Sequence, residues 1–334
     1  MHQGEGIVKI TTRFAQCVAI AALVTSATSV FADVAPLSVK GNEILAGGQS
    51  ASFAGNSLFW SNSGWGGEKF YTAGVVRWLK TDWKSSLVRA AMGVDAPGGY
   101  LQDANGNRAR VKAVVDAAIA NDMYVIIDWH SHRAESYRAN AISFFEDMAQ
   151  TYGAHNHVIY EIYNEPLQIS WSGQIKPYAQ AVISAIRAID PDNLIVVGTP
   201  SWSQDVDVAA ADPIAGINIA YALHFYAGTH GQYLRDKAQA ALNRGVALFV
   251  TEWGAVNANG DGAVATEETN AWMSFLKVHR ISHANWATND KPEGASALVP
   301  GASAAGGWPA NQLTPSGAFA KQIISGWGST TTTK

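Results

Sequence analysis

Along this 334-residue chain, short runs of apolar and β-branched residues alternate with longer stretches in which apolar positions recur every three to four residues. The short runs predict strands at 50–57, 86–92, 123–130, 158–165, 193–199, 217–226, 246–253 and 283–288. The longer stretches predict helices at 68–83, 108–121, 137–152, 175–189, 205–211, 233–243, 267–280 and 315–324. Residues 34–49 are Gly-rich and short-range and predict no element. Eight strands alternating with helices imply an α/β fold with a parallel sheet, closed into a (β/α)8 TIM barrel as a single catalytic domain. An open doubly wound sheet is the rival architecture, but no G-x-G-x-x-G supports it.

Composition narrows the class without changing the fold. At 48% hydrophobic and 15% charged residues the chain can bury a large core, and a formal charge of −4 offers no basic field for phosphate backbones, so nucleic acid is not expected as a partner. Lys9 and Arg13 precede an apolar run from Phe14 to Val24, and Val30-Phe31-Ala32 puts small residues at −3 and −1 of a cleavage site. That pattern predicts a signal peptide over 1–32, cleavage near Ala32 and a secreted protein. Processing would remove Lys9, Arg13 and Glu5, making the remainder one unit more acidic, and also Cys17, the only cysteine. With neither disulfide nor thiolate metal site, a soluble monomer that does not enter membranes is expected, spanning 33–328. Thirty-one glycines against 11 prolines argue for modest thermal stability. Residues 329–334 begin a Ser/Thr-rich tail of linker composition.

Two runs, V-I-Y-E-I-Y-N-E-P (158–166) and A-L-F-V-T-E-W-G (247–254), each deliver a glutamate to a predicted strand end. Burying a carboxylate in an apolar run is costly unless it has partners or a task. Glu165 and Glu252 are therefore the candidate catalytic pair, and two carboxyl groups about 5–5.5 Å apart suit a retaining glycosidase. The other informative polar residues fall at the same predicted end: Trp60, Arg89, His130, His132, Asn164, His224, Tyr226 and Trp286. Arg89 and Tyr226 would orient the nucleophile, and Asn164 would meet a sugar 2-hydroxyl. The 12 tryptophans offer flat faces for pyranose rings, with Trp60, Trp65, Trp129, Trp171, Trp202, Trp253, Trp286 and Trp308 expected at strand ends or in the loops beyond.

A metal-dependent barrel hydrolase is the competing chemistry, since His130-Ser131-His132 could join His224 and Asp290 in a binuclear site. Its H-x-H would be expected on the first strand rather than the third. A catalytically idle sugar-binding barrel would lack the carboxylates.

The motifs V-R-A-A-M (88–92), V-I-I-D-W-H (125–130), Y-N-E-P (163–166), L-H-F-Y (223–226), V-T-E-W-G (250–254) and N-W-A-T-N-D-K-P-E (285–293) together resemble the endoglucanase (cellulase) branch of glycoside hydrolase family 5, most of all secreted enzymes of marine bacteria. The resemblance covers residues 44–327. It implies an endo-β-1,4-glucanase acting on cellulose and soluble β-1,4-glucans by retaining double displacement, without a cofactor or catalytic metal, with β-mannanase or xyloglucanase as the alternatives. It assigns Glu165 as acid/base and Glu252 as nucleophile. Arg89, His130, Asn164, His224, Tyr226 and Trp286 would line the cleavage subsite, with Lys291 and Glu293 reaching the next sugar. Many relatives carry a linker and a carbohydrate-binding module, which the tail would suit. One departure is Asn56, where many relatives have a histidine four residues before the tryptophan.

Overall fold

A computed structural model describes residues 1–6 and 34–328. The predicted signal peptide and the Ser/Thr tail lie almost wholly outside the described residues.

The chain opens with a three-stranded antiparallel sheet, β1 (Leu37–Lys40), β2 (Glu43–Ala46) and β3 (Gln49–Ser50). Gly41 and Gly47 take positive φ at its turns, which is why this stretch reads as loop by composition. The barrel follows: β4 (Ala54–Leu58), α1 (Ala73–Thr81), β5 (Leu87–Gly93), α2 (Ala104–Ile119), β6 (Tyr124–His130), α3 (Arg138–Tyr152), β7 (Val158–Glu161), α4 (Lys176–Arg187) and β8 (Leu194–Val197). After the short α5 (Pro200–Ser203) and α6 (Val206–Ala211) come β9 (Ile219–Tyr226), α7 (Gln232–Asn243), β10 (Leu248–Gly254), α8 (Thr266–Val278), β11 (His283–Thr288) and α9 (Pro315–Ser325). Strands β4 to β11 pair in sequence, all parallel, and β11 closes on β4. The (β/α)8 barrel is thus as expected. The first barrel strand begins at Ala54 rather than 50, because residues 49–50 belong to the antiparallel sheet.

Period-two alternation sorts each strand between two environments. On β6, Val125, Ile127 and Trp129 pack into the shell of helices, while Tyr124 and Ile126 join the lumen core with Leu87, Ile159, Leu194, Val196 and Phe249. Leu37 and Ile44 of the antiparallel sheet belong to that same lumen cluster, and the Tyr124 hydroxyl donates to the Ala35 carbonyl at 2.7 Å. The small sheet therefore closes the N-terminal mouth, and the opposite mouth is left for chemistry.

Candidate active site

Following the lumen upward from that apolar floor, the next inward positions are polar: Ser57 on β4, Arg89 on β5, Asp128 on β6, Glu161 on β7, His224 on β9 and Thr251 on β10. Arg89 is fully buried, and its guanidinium ties the layer together. It donates from Nε to Glu161 Oε2 at 2.7 Å, from Nη2 to Asn164 Oδ1 at 2.6 Å and from Nη1 to Glu252 Oε2 at 3.0 Å. Its Nη2 also stands 2.9 Å from Asp128. Burial opposes the guanidinium charge, but Asp128, Glu161 and Glu252 outweigh it and raise its pKa. A cation mid-strand is thus explained by three carboxylates that β6, β7 and β10 point into the same lumen.

The two candidate carboxylates sit above this layer. Glu252 is on β10, where the pairing with β9 shifts register between Phe249 and Glu252. The extra residue lets adjacent Thr251 and Glu252 both bond toward the lumen, as bulges beside active sites commonly do. Glu165 is not at the end of its strand: β7 stops at Glu161, and the chain continues beside β6, with Asn164 N–H bonded to the Trp129 carbonyl at 3.2 Å and Glu165 N–H to that of Ser131 at 3.3 Å. Glu165, His224 and Glu252 nevertheless bring one ligand-type atom each to within 4.8 Å of one another.

Each carboxylate has its own partners. Glu252 accepts from Arg89 on one oxygen and from the Tyr226 hydroxyl, at 2.7 Å, on the other. Burial and the nearby Glu165 push its carboxyl up, while His224, Arg89 and Tyr226 pull it down without cancelling the rise. Glu165 Oε1 lies 2.9 Å from His224 Nδ1, and His224 Nε2 lies 2.8 Å from Thr251 Oγ1. Burial lowers the His224 imidazolium, but Glu161, Glu165 and Glu252 more than reverse this and leave it at about 9. His130, 2.6 Å from Asp128, is held well below the ordinary histidine range by burial and by Arg89, and so stays neutral.

Two cavities flank the pair and share Glu165, Tyr226 and Glu252. One, of about 250 Å³, is lined by Trp60, Trp65, His130, His132, Trp286, Lys291 and Glu293. The other, of about 350 Å³, is lined by Trp202, Gln204, His224 and His230. On the first side Trp286 stacks on His130 at 5.1 Å, His130 meets Trp60 edge-on at 4.2 Å, and Trp60 packs on Trp65 at 5.4 Å. Lys291 and Glu293 form an ion pair of 2.6 Å there. Trp202 rises alone on the second side, 40% exposed.

Ten of the twelve expected site residues therefore line one cleft, with Arg89 and Asn164 buried against its floor, but half of the expected tryptophans do not reach it. Trp129 and Trp253 face outward on alternating positions, Trp171 and Trp308 pack in the core, and all four are buried. Asn56 is also outside the cleft: its Oδ1 accepts from Ser85 at 2.7 Å, and Ser57 is the inward residue beside Arg89. The proposed binuclear metal set does not assemble. His130 is engaged by Asp128, and Asp290 accepts from Lys69 at 2.7 Å. In the compact Glu165–His224–Glu252 group the ligand atoms are already engaged: Glu252 by Arg89 and Tyr226, and the two His224 ring nitrogens by Glu165 and Thr251.

Asp128, Glu161 and Thr251 are functional neighbours that sequence reasoning missed. Asp128 precedes His130 by two and so shares its face, and Glu161 is a charge inside an apolar strand. The rule applied to Glu165 would have found both. Thr251 is an ordinary strand former and carries no signal.

The family model described as "Cellulase (glycosyl hydrolase family 5)" matches residues 44–292. Endoglucanase Z of Dickeya dadantii is 65% identical over 90% of this chain and 68% of its own length. The chain spans only 50% to 58% of four further curated endoglucanases at 46% identity. A solved structure from Cytophaga hutchinsonii, 52% identical, superposes with a TM-score of 0.84 over 86% of this chain and 94% of that one. The catalytic domain of a Thermobifida fusca endoglucanase, solved in complex with cellotetraose, is 29% identical and superposes at 0.81 over 86% and 96%. With the family model matching most of the described barrel and the carboxylate pair in place, this chain belongs to glycosyl hydrolase family 5, among the cellulases.

Proposed function

We infer that this domain is an endo-β-1,4-glucanase that cleaves internal bonds of cellulose and soluble β-1,4-glucans with retention of configuration. The observation that carries the reading is the carboxylate pair, with oxygens within 4.8 Å, in the middle of a cleft continuing on both sides. One oxygen of each carboxylate within 4.8 Å lies on the close side of the two glycosidase geometries, which fits direct attack. A cleft that continues past the reacting pair in both directions accepts the interior of a polymer.

Glu252, with donors on both oxygens, attacks the anomeric carbon as the Glu165 proton goes to the departing oxygen; Glu165 then takes a proton from the water that releases the glycosyl group. The Asn164 amide, anchored through its oxygen to Arg89, has an Nδ2 without a partner among the described residues. That donor suits the sugar 2-hydroxyl, a contact that strengthens as oxocarbenium character develops. Export is part of the proposal and rests on the basic, apolar and small-residue pattern of residues 1–32.

Proton NMR of cellohexaose digestion tests the stereochemistry: β-anomer first is expected, and α-anomer first would sink the retaining reading. Glu252→Gln should abolish turnover of carboxymethylcellulose while cello-oligosaccharides still bind, and more than about a tenth of wild-type rate would exclude its nucleophilic role. A panel of β-1,4-glucan, mannan and xyloglucan checks specificity, with the fastest rate expected on the glucan.

A further inference from the structure

We propose that Glu161, which cannot touch substrate, is a positioning residue that fixes the direction of the proton chain ending at Glu165. The proposal rests on the retaining reading above. Glu161 is fully buried below the carboxylate pair. Its Oε2 accepts from Arg89 Nε at 2.7 Å and its Oε1 from the Thr251 hydroxyl at 2.5 Å. The charged and titratable groups around it are Arg89 on β5, Asp128 on β6, His224 on β9, Glu252 on β10, and Glu165 in the loop after β7.

Donor counting sets the polarity of this chain. An ionised carboxylate only accepts, so the single Thr251 proton points at Glu161. The Thr251 oxygen, 2.8 Å from His224 Nε2, must then accept, and Nε2 must carry hydrogen whatever the charge on the ring. The only imidazole nitrogen left to titrate is Nδ1, and it faces Glu165 Oε1. The exchangeable proton is therefore confined to the contact with the acid/base, where it is needed. The same Glu161, through Arg89, also reaches the nucleophile, since Arg89 donates to Glu252.

Glu161→Gln removes the acceptor that holds this polarity and favours its reversal. Arg89 Nε can only donate, so the amide oxygen must face it and the amide NH2 must face Thr251. Thr251 then turns its proton toward His224 Nε2, and the neutral ring keeps its one hydrogen on Nδ1, so that the exchange of a proton between the imidazolium and Glu165 that the wild type allows is closed. Loss of general acid catalysis is the consequence.

The experiment compares wild type, Glu161→Gln and Thr251→Val on two substrates. Carboxymethylcellulose needs protonation of its leaving group, whereas formation of the glycosyl-enzyme from 2,4-dinitrophenyl β-cellobioside does not. Both variants should lose about a hundredfold or more of kcat on the polymer, and Thr251→Val, which leaves the Arg89–Glu161 pair in place, should keep the pre-steady-state burst rate on the aryl glycoside within about fivefold. The basic limb of the kcat/KM profile should move. Nitrogen-15 NMR of His224 should show hydrogen on Nε2 in the wild type at every pH, joined by Nδ1 where the ring is charged, and on Nδ1 alone in Glu161→Gln, a readout that does not depend on activity. Equal losses on both substrates, an unmoved basic limb, or Nε2–H retained in Glu161→Gln would overturn the proposal. A wild type that releases no dinitrophenol would instead refute the glycosidase reading, leaving the nitrogen-15 result to decide the polarity.

Discussion

Glu252 is drawn in opposite directions, and the balance makes a pH prediction at the residue scale. Burial and then the charge of Glu165 raise its carboxyl, against the pull of His224, Arg89 and Tyr226. As the proposed nucleophile, Glu252 must be ionised, so its titration would set the acidic limb of activity. Replacing Glu165 by Gln removes the like charge, favours the anion, and should shift that limb to lower pH. Burst rates with 2,4-dinitrophenyl β-cellobioside read this without needing the acid, and a limb that stays or rises would contradict it. His283 makes a complementary prediction for stability. It is buried beneath Trp327, accepts from Trp253 Nε1 at 3.0 Å, and is lowered by burial from 6.5 to about 3. Between those values the unfolded chain binds a proton that the folded chain refuses, so stability is full above about pH 6.5 and falls as pH drops toward 3. The loss by pH 3 is on the order of 5 kcal/mol at about 1.4 kcal/mol per unit, and His283→Gln should flatten the dependence of the denaturant midpoint on pH.

At the scale of elements, strands and helices were legible because their periods differ, and most barrel strands lie within a few residues of expectation. What escaped was set by contacts that no local pattern encodes. The β1–β3 sheet hides behind turn glycines, and Glu165 looked like a strand terminus because the apolar run continues through Ile162 and Tyr163 after the ladder to β6 has ended at Glu161. Tryptophans were legible only in part, since an indole on a barrel strand packs outward or lines the cleft according to parity. Trp202 owes its place to a strained strap: Ser201, Trp202 and Ser203 all take φ near +57°, at roughly 1–3 kcal/mol each. Ser203 donates to the Asn164 carbonyl at 2.7 Å and Ser201 to Asp205 at 2.7 Å, so the strap is braced on the Y-N-E-P turn itself. On the mechanism proposed above, an indole held this firmly on the His224 side of the acid/base is a platform for the sugar of the leaving group. Trp202→Ala should raise KM for cellohexaose about fivefold to tenfold, the ~1–1.5 kcal/mol of one aromatic stacking contact. The burst rate with the aryl cellobioside, which ends at its leaving group, should not change.

Over the whole molecule, the barrel lumen is graded, and the gradient separates stability from chemistry. Its N-terminal end is apolar and sealed by Leu37 and Ile44 from β1 and β2; its middle is a network of buried ions around Arg89; its C-terminal end opens into the cleft. The ions are tolerable because they pair with one another, and keeping water out from below strengthens those pairings, which gives a sheet far from the substrate an energetic stake in the site. Ile44 is 4% exposed, so Ile44→Ala removes buried methyl groups from the seal and should cost about 2–4 kcal/mol. For a domain of this size that corresponds to a fall in melting midpoint of roughly 4–12 °C. Well below the transition, kcat/KM on carboxymethylcellulose should stay within about twofold of wild type, because Ile44 lies at the sealed end and the rigid strands between carry no alternative packing. A large drop in kcat/KM with an unchanged midpoint would instead mean that the seal acts on the ion layer directly, through Tyr124 and Ile126, whose strand continues upward to Asp128.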